Sequence, residues 1–132
     1  MKVMLDTNIC IYLIKQRPPS LIERLQAEPV ADLGISSVTL AELEFGVAKS
    51  QHVVQNRIAL NKFLEPLEIA PFDRKASLAY GKIRHLLERA GTPIGSMDFL
   101  IAAHALSLGV RLVTNNTKEF QRVAGLRVEN WV

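Results

Sequence analysis

The chain has 132 residues, a length that suits one domain with a real buried core. With 48% hydrophobic and 22% charged residues it reads as globular, and no apolar run reaches the roughly 18–20 residues of a membrane span. Its net charge of +3 and pI near 9.2 permit an anionic partner without requiring one, because the Lys and Arg residues are scattered.

The start, MKVMLDTN, is not a secretory leader, and the single cysteine, Cys10, excludes an internal disulfide framework. Both suit a reducing cytoplasm. In chain order, apolar runs predict strands at Val3 to Leu5, Leu33 to Ser36, Leu67 to Ala70, Arg111 to Thr114 and, more weakly, Leu126 to Val128. Helical periodicity covers Asn8 to Lys15, Ser20 to Ala27, Thr39 to Lys49, Gln55 to Leu64, Arg74 to Ala90, Ser96 to Leu108 and Lys118 to Val123. Asp73, Ser96 and Thr117 are candidate N-caps, and Gly109 suits a helix C-terminus. Strands alternating with helices, and apolar throughout, predict an α/β/α sandwich around a mainly parallel sheet, as a single domain over 1–132.

In such a sheet, sites form beyond the carboxyl ends of the strands. Asp6 follows the first strand directly. Glu42 lies one turn into the helix after the second, and Asp98 in the first turn of the helix opening at Ser96. Asn115 and Asn116 follow the fourth strand, with Glu119 three residues beyond Asn116. All map to one edge. Carboxylates brought together repel unless a cation or proton intervenes. An all-oxygen set without a His or Cys cluster favours Mg²⁺, with Mn²⁺ as a substitute, and such a site suits phosphoryl chemistry. Each acid also has a local reading. Asp6 fits a helix N-cap, Glu42 completes a Thr39-x-x-Glu42 capping box, Asp98 complements a helix dipole, and Glu119 fits a solvated helix. His104 and Cys10 read as packing residues.

The blocks MLDTNICIYLI, ISSVTLAELEFGVAKS, IGSMDFLIAAHALSLG and LVTNNTKEF, closing on VENWV, resemble the PIN-domain toxins of the VapC family over essentially the whole chain. The resemblance implies a PIN fold and an Mg²⁺-dependent endoribonuclease; between water and a ribose hydroxyl as the attacking group, the metal chemistry favours water. It also implies a cognate VapB antitoxin and a homodimer within a larger toxin–antitoxin complex. The family's targets are structured RNAs, and this branch points to the anticodon loop of initiator tRNA. Carried over, Asp6 and Asp98 match the metal ligands, and Glu42 helps hold the metal or its water. Where many relatives have a fourth acid this chain has Asn116, so the fourth corner falls to Asn116 or Glu119. Thr7, Ser37 and Thr114 match small polar positions expected to donate to the carboxylates, and Asn8 and Asn115 are similar.

Two rival readings fit less well. An aspartyl-phosphate phosphatase carries a second Asp two residues after its nucleophile, where this chain has Asn8. A receiver-like module needs an acid after its third strand, and Pro71-Phe72-Asp73 is a poor match.

Overall fold

A computed structural model describes residues 1–132. The elements run β1 (Val3–Leu5), α1 (Thr7–Ile14), α2 (Pro19–Gln26), β2 (Leu33–Ser36), α3 (Ser37–Ala48), α4 (Val53–Leu64), β3 (Glu68–Ala70), α5 (Arg74–Arg89), α6 (Ser96–Leu108), β4 (Arg111–Val113), α7 (Thr117–Phe120) and β5 (Val128–Glu129). A short 3₁₀ turn, Val30–Asp32, leads into β2.

All four strand pairings are parallel, and the sheet order is β3-β2-β1-β4-β5. The expected α/β/α sandwich is therefore present. Successive side chains of a strand point to opposite faces, so each strand serves two cores. Val3 and Leu5 face α1, α2, α3 and α4 with Leu13, Leu21, Leu43 and Leu60, while Met4 faces α5 and α6 with Ile83, Phe99 and Ile101. Val113 and Leu112 divide in the same way. Two-sided burial explains why the central strands read as continuous apolar runs. No helix is long and apolar enough to cross a membrane.

Several boundaries differ from expectation. Gly95 and Asn116, not Ser96 and Thr117, are the N-caps of α6 and α7, and neither makes a side-chain capping bond. The last strand begins at Val128, not Leu126, because Gly125 at φ +83° completes a turn first. Helix α7 ends at Phe120, three residues short of the expected Val123, in that same connection. The cap at Asp73 and the left-handed Gly109 C-cap of α6 stand as read.

Candidate functional site

β1 is the central strand, and Asp6 is the first residue beyond it. Its N–H donates to Val113 O across the sheet at 3.1 Å. Its carboxylate caps α1, accepting from Ile9 N at 2.9 Å. The residue is only 4% exposed. Burial raises its pKa, opposed by the neighbouring Thr114 hydroxyl and the Ile9 N–H, with a smaller upward push from the negative charge of Glu42. Asp6 therefore fills its local capping role and also faces other acids.

Asp98 sits in the first turn of α6, where Gly95 leaves room for it. A Cβ on Gly95 would come within 3.2 Å of Asp98 Oδ2. Half-buried, Asp98 has its pKa raised to about 6, first by desolvation and then by the charges of Asp6, Glu119 and Glu42. A hydrogen bond to Glu119, available to the protonated acid, adds to the rise. Asp98 thus senses all three other carboxylates, although up to 92 residues separate it from them in sequence.

Glu42 overturns its capping-box reading. Helix α3 opens two residues before Thr39, capped by Ser36 Oγ, which accepts from Val38 N at 3.0 Å. Thr39 is inside the helix and fully buried. Glu42 is instead held by Thr7, whose hydroxyl donates to Glu42 Oε1 at 2.5 Å and lies 3.3 Å from Thr39 Oγ1. Thr7 thereby ties the start of α1 to the acid on α3.

At the fourth corner, Asn116 and Glu119 act as a pair. Asn116 Nδ2 donates to Glu119 Oε2 at 3.0 Å, and Asn116 N donates to the buried Thr114 Oγ1 at 2.9 Å. Asn115 turns away, its Nδ2 donating to Tyr12 Oη at 3.0 Å. Ser37, expected beside the acids, makes a different bond: its Oγ accepts from Phe72 N at 3.0 Å and pins the β3–α5 connection. Its hydroxyl points to that turn because α3 has already begun at Ser37.

None of the four carboxylates is in an ion pair. As the side chains stand, no three His, Cys, Asp or Glu residues are grouped closely enough to hold a metal ion together. The donors at this edge are carboxylate, hydroxyl and amide oxygens, the ligand type that a hard cation prefers. The donor chemistry therefore fits Mg²⁺ or Mn²⁺ better than a dehydrated structural metal.

His104 was read as a packing residue, and it is 1% exposed inside α6. Its Nδ1 lies 2.8 Å from Ser36 Oγ, its ring stands edge-on to Phe72 at 5.3 Å, and burial lowers its pKa. Cys10 is buried in the apolar core, as expected. Sequence reasoning passed over a groove of about 530 Å³ beside the acids, lined among others by Thr7, Asn8, Glu42, Phe45, Lys49 and Met97. Its signal was an aromatic residue one turn along α3 from Glu42, off the stripe that Leu43 and Val47 bury.

Comparison with known proteins agrees with this geometry. Residues 3–126 match the PIN domain family. The tRNA(fMet)-specific endonuclease VapC of Shigella flexneri is 46% identical over 131 residues, covering 99% of this chain and 98% of that protein. Ribonuclease VapC2 of Rickettsia felis is also 46% identical, over 97% of this chain and 96% of its own. Among solved structures, VapBC2 from Rickettsia felis bound to a promoter DNA fragment superposes with a TM-score of 0.92 at 45% identity, covering both chains completely. DNA-bound VapBC from Salmonella typhimurium gives 0.94 at 42% identity, over 100% of this chain and 99% of that one. The chain belongs to the PIN-domain family, among the VapC ribonucleases.

Proposed function

We propose that this chain is a divalent-cation-dependent endoribonuclease, the toxin half of a toxin–antitoxin pair, which cuts a structured RNA. The observation that carries this reading is the meeting of Asp6, Glu42, Asp98 and Glu119 at one sheet edge with no cationic side chain to neutralise them. A phosphodiester cannot approach four unneutralised carboxylates, so the arrangement calls for a positive ion. Asp6 and Asp98, one beyond the central strand and the other in the first turn of α6, are its ligands. When bound, a divalent cation supplies positive charge for the phosphate and lowers the pKa of a water molecule.

The protein's own groups have distinct tasks. The α1 cap fixes Asp6, and the Ile9 N–H favours its ionised form. At neutral pH Asp98 is largely ionised and ready to act as a ligand, whereas below about 6 it is largely protonated and is not. Thr7 aims Glu42, whose free oxygen can accept a proton from an attacking water. Asn116 orients Glu119 toward the same pocket. Water attack leaves a 5′-phosphate on the product.

The initiator-tRNA anticodon loop is the proposed target, on the strength of the tRNA(fMet)-specific relative. An exposed loop presents its backbone to a recessed site more readily than a duplex does. The solved VapBC complexes support a VapB partner; in the proposed reading that partner is the inhibitor, and the toxin is a homodimer inside the larger assembly. Purified protein should cleave an RNA pool with Mg²⁺ and stop with EDTA, and sequencing of product 5′ ends should place the cut in one tRNA loop. Cleavage that survives both EDTA and Asp98→Asn would defeat the reading.

A further inference from the structure

Beyond Glu42, one stripe of α3 is not used by the carboxylate chemistry. Glu42, Phe45, Gly46 and Lys49 recur at i, i+3, i+4 and i+7 and so share a face. Phe45 is 65% exposed, and Lys49 Nζ lies 5.0 Å from the centroid of its ring. Met97, next to Asp98, is 47% exposed and lines the same groove from the α6 side. Nothing lies within 4 Å of a Cβ built on Gly46, so space beside the ring is open. The groove is continuous with the acids through Thr7 and Glu42.

We infer that this groove is a nucleobase subsite, in which the base flanking the cleaved phosphodiester stacks on Phe45 and the phosphate beyond it meets Lys49. The inference rests on the RNA-cleaving reading and adds to it where the strand lies. With a rise of about 1.5 Å per residue, Phe45 stands about 4.5 Å and Lys49 about 10.5 Å beyond Glu42 along the helix axis. A single strand laid along α3 therefore meets an acid, a ring and a cation in that order. Lys49 lies over one side of the ring, and the rest of this exposed side chain is apolar surface on which any base can stack, because every base has a π-face. Lys49 completes the site as the cation that backbone tracking requires. Asn8 lines the rim with an amide that can both donate to and accept from a base edge. A duplex cannot use such a site, because its bases are already stacked inside, whereas an unpaired loop can.

The test uses the full chain and a single-stranded RNA with 2-aminopurine beside the mapped cut. In the Asp98→Asn background the RNA is bound without being cut, and stacking should quench the fluorophore. Adding Phe45→Ala should abolish the quench, and adding Phe45→Trp should keep it. In the active protein, Phe45→Ala should lower kcat/KM about 5- to 100-fold, chiefly through KM, while Phe45→Trp stays within about twofold. Because Phe45 is exposed, the Tm of each Phe45 variant should match that of its own background, which separates stacking from folding. An unchanged quench or unchanged kcat/KM in Phe45→Ala overturns the subsite. So does a Phe45→Ala variant that loses antitoxin affinity alone, which would make the patch a protein-docking surface. If the parent cleaves no RNA with any divalent cation, the nuclease reading fails, and the same quench comparison on an unpaired 2-aminopurine oligonucleotide still decides the subsite.

Discussion

Asp98→Asn should make the cation-free protein more stable while abolishing its activity. The native carboxyl titrates at about 6 rather than 3.8, so its ionised form is disfavoured by the fold. A shift of that size corresponds to about 3 kcal/mol at full value. Asp98 is partly open to water, which screens the interaction and reduces the effect to about 1–2 kcal/mol. Asn carries no charge and can donate to Glu119 as the protonated acid does. The expected gain in Tm at pH 7.5 in EDTA is about 3–8 °C. The sign with pH follows from a raised pKa: the stability associated with Asp98 is fully present below about 3.8 and is lost as pH rises through about 6. The Tm gap between variant and parent should therefore be widest above pH 7 and close towards pH 4. Mg²⁺ should reverse the order at neutral pH, because saturation at about 100 times Kd adds about 2.7 kcal/mol to the parent alone. Scanning calorimetry of both proteins across pH, with and without Mg²⁺, measures every part of this. A variant no more stable than the parent at pH 7.5, or a gap that does not close in acid, would refute the electrostatic account.

The capping and ligand roles of Asp6 can be separated. Asp6→Asn should keep the α1 cap and lose RNA cleavage, whereas Asp6→Ala should lose cleavage and also about 0.5–2 kcal/mol of stability in urea unfolding. Thr7→Val removes the donor that aims Glu42 and should lower kcat more than KM in single-turnover assays, while an unchanged kcat would make Thr7 a packing residue only. Asn116→Asp replaces the donor to Glu119 with a repelling acid. It should lower Tm in EDTA by a few degrees and increase the stabilisation by Mn²⁺ in thermal titration.

Much of this molecule is visible in its sequence because the physics there is short-ranged or strongly patterned. The strands stand out as apolar runs since Met4 and Leu5, or Leu112 and Val113, are buried on opposite faces of the sheet. The convergence of Asp6, Glu42 and Asp98 on one edge follows from parallel topology alone, because every strand ends on the same side. What the sequence hides is competition between neighbours. Thr39 and Glu42 have capping-box spacing, yet Ser36 takes the cap and frees Glu42 for Thr7, a partner 35 residues away. Ser37 looks like a donor to the acids until the helix start turns it toward Phe72. Phe45 reads as one more apolar residue in a helix rich in them. Only packing shows that Leu43 and Val47 face the core while Phe45 does not.

The central strand β1 lies between β2 and β4, and Asp6 receives its backbone partner from Val113 and its hydroxyl neighbour from Thr114. Asp98 comes from the helix that immediately precedes β4. During synthesis, therefore, Asp6 leaves the ribosome early but has no pocket until more than a hundred further residues have followed it. The pocket that gathers the acids is thus among the last parts of the fold to be completed as the chain is made.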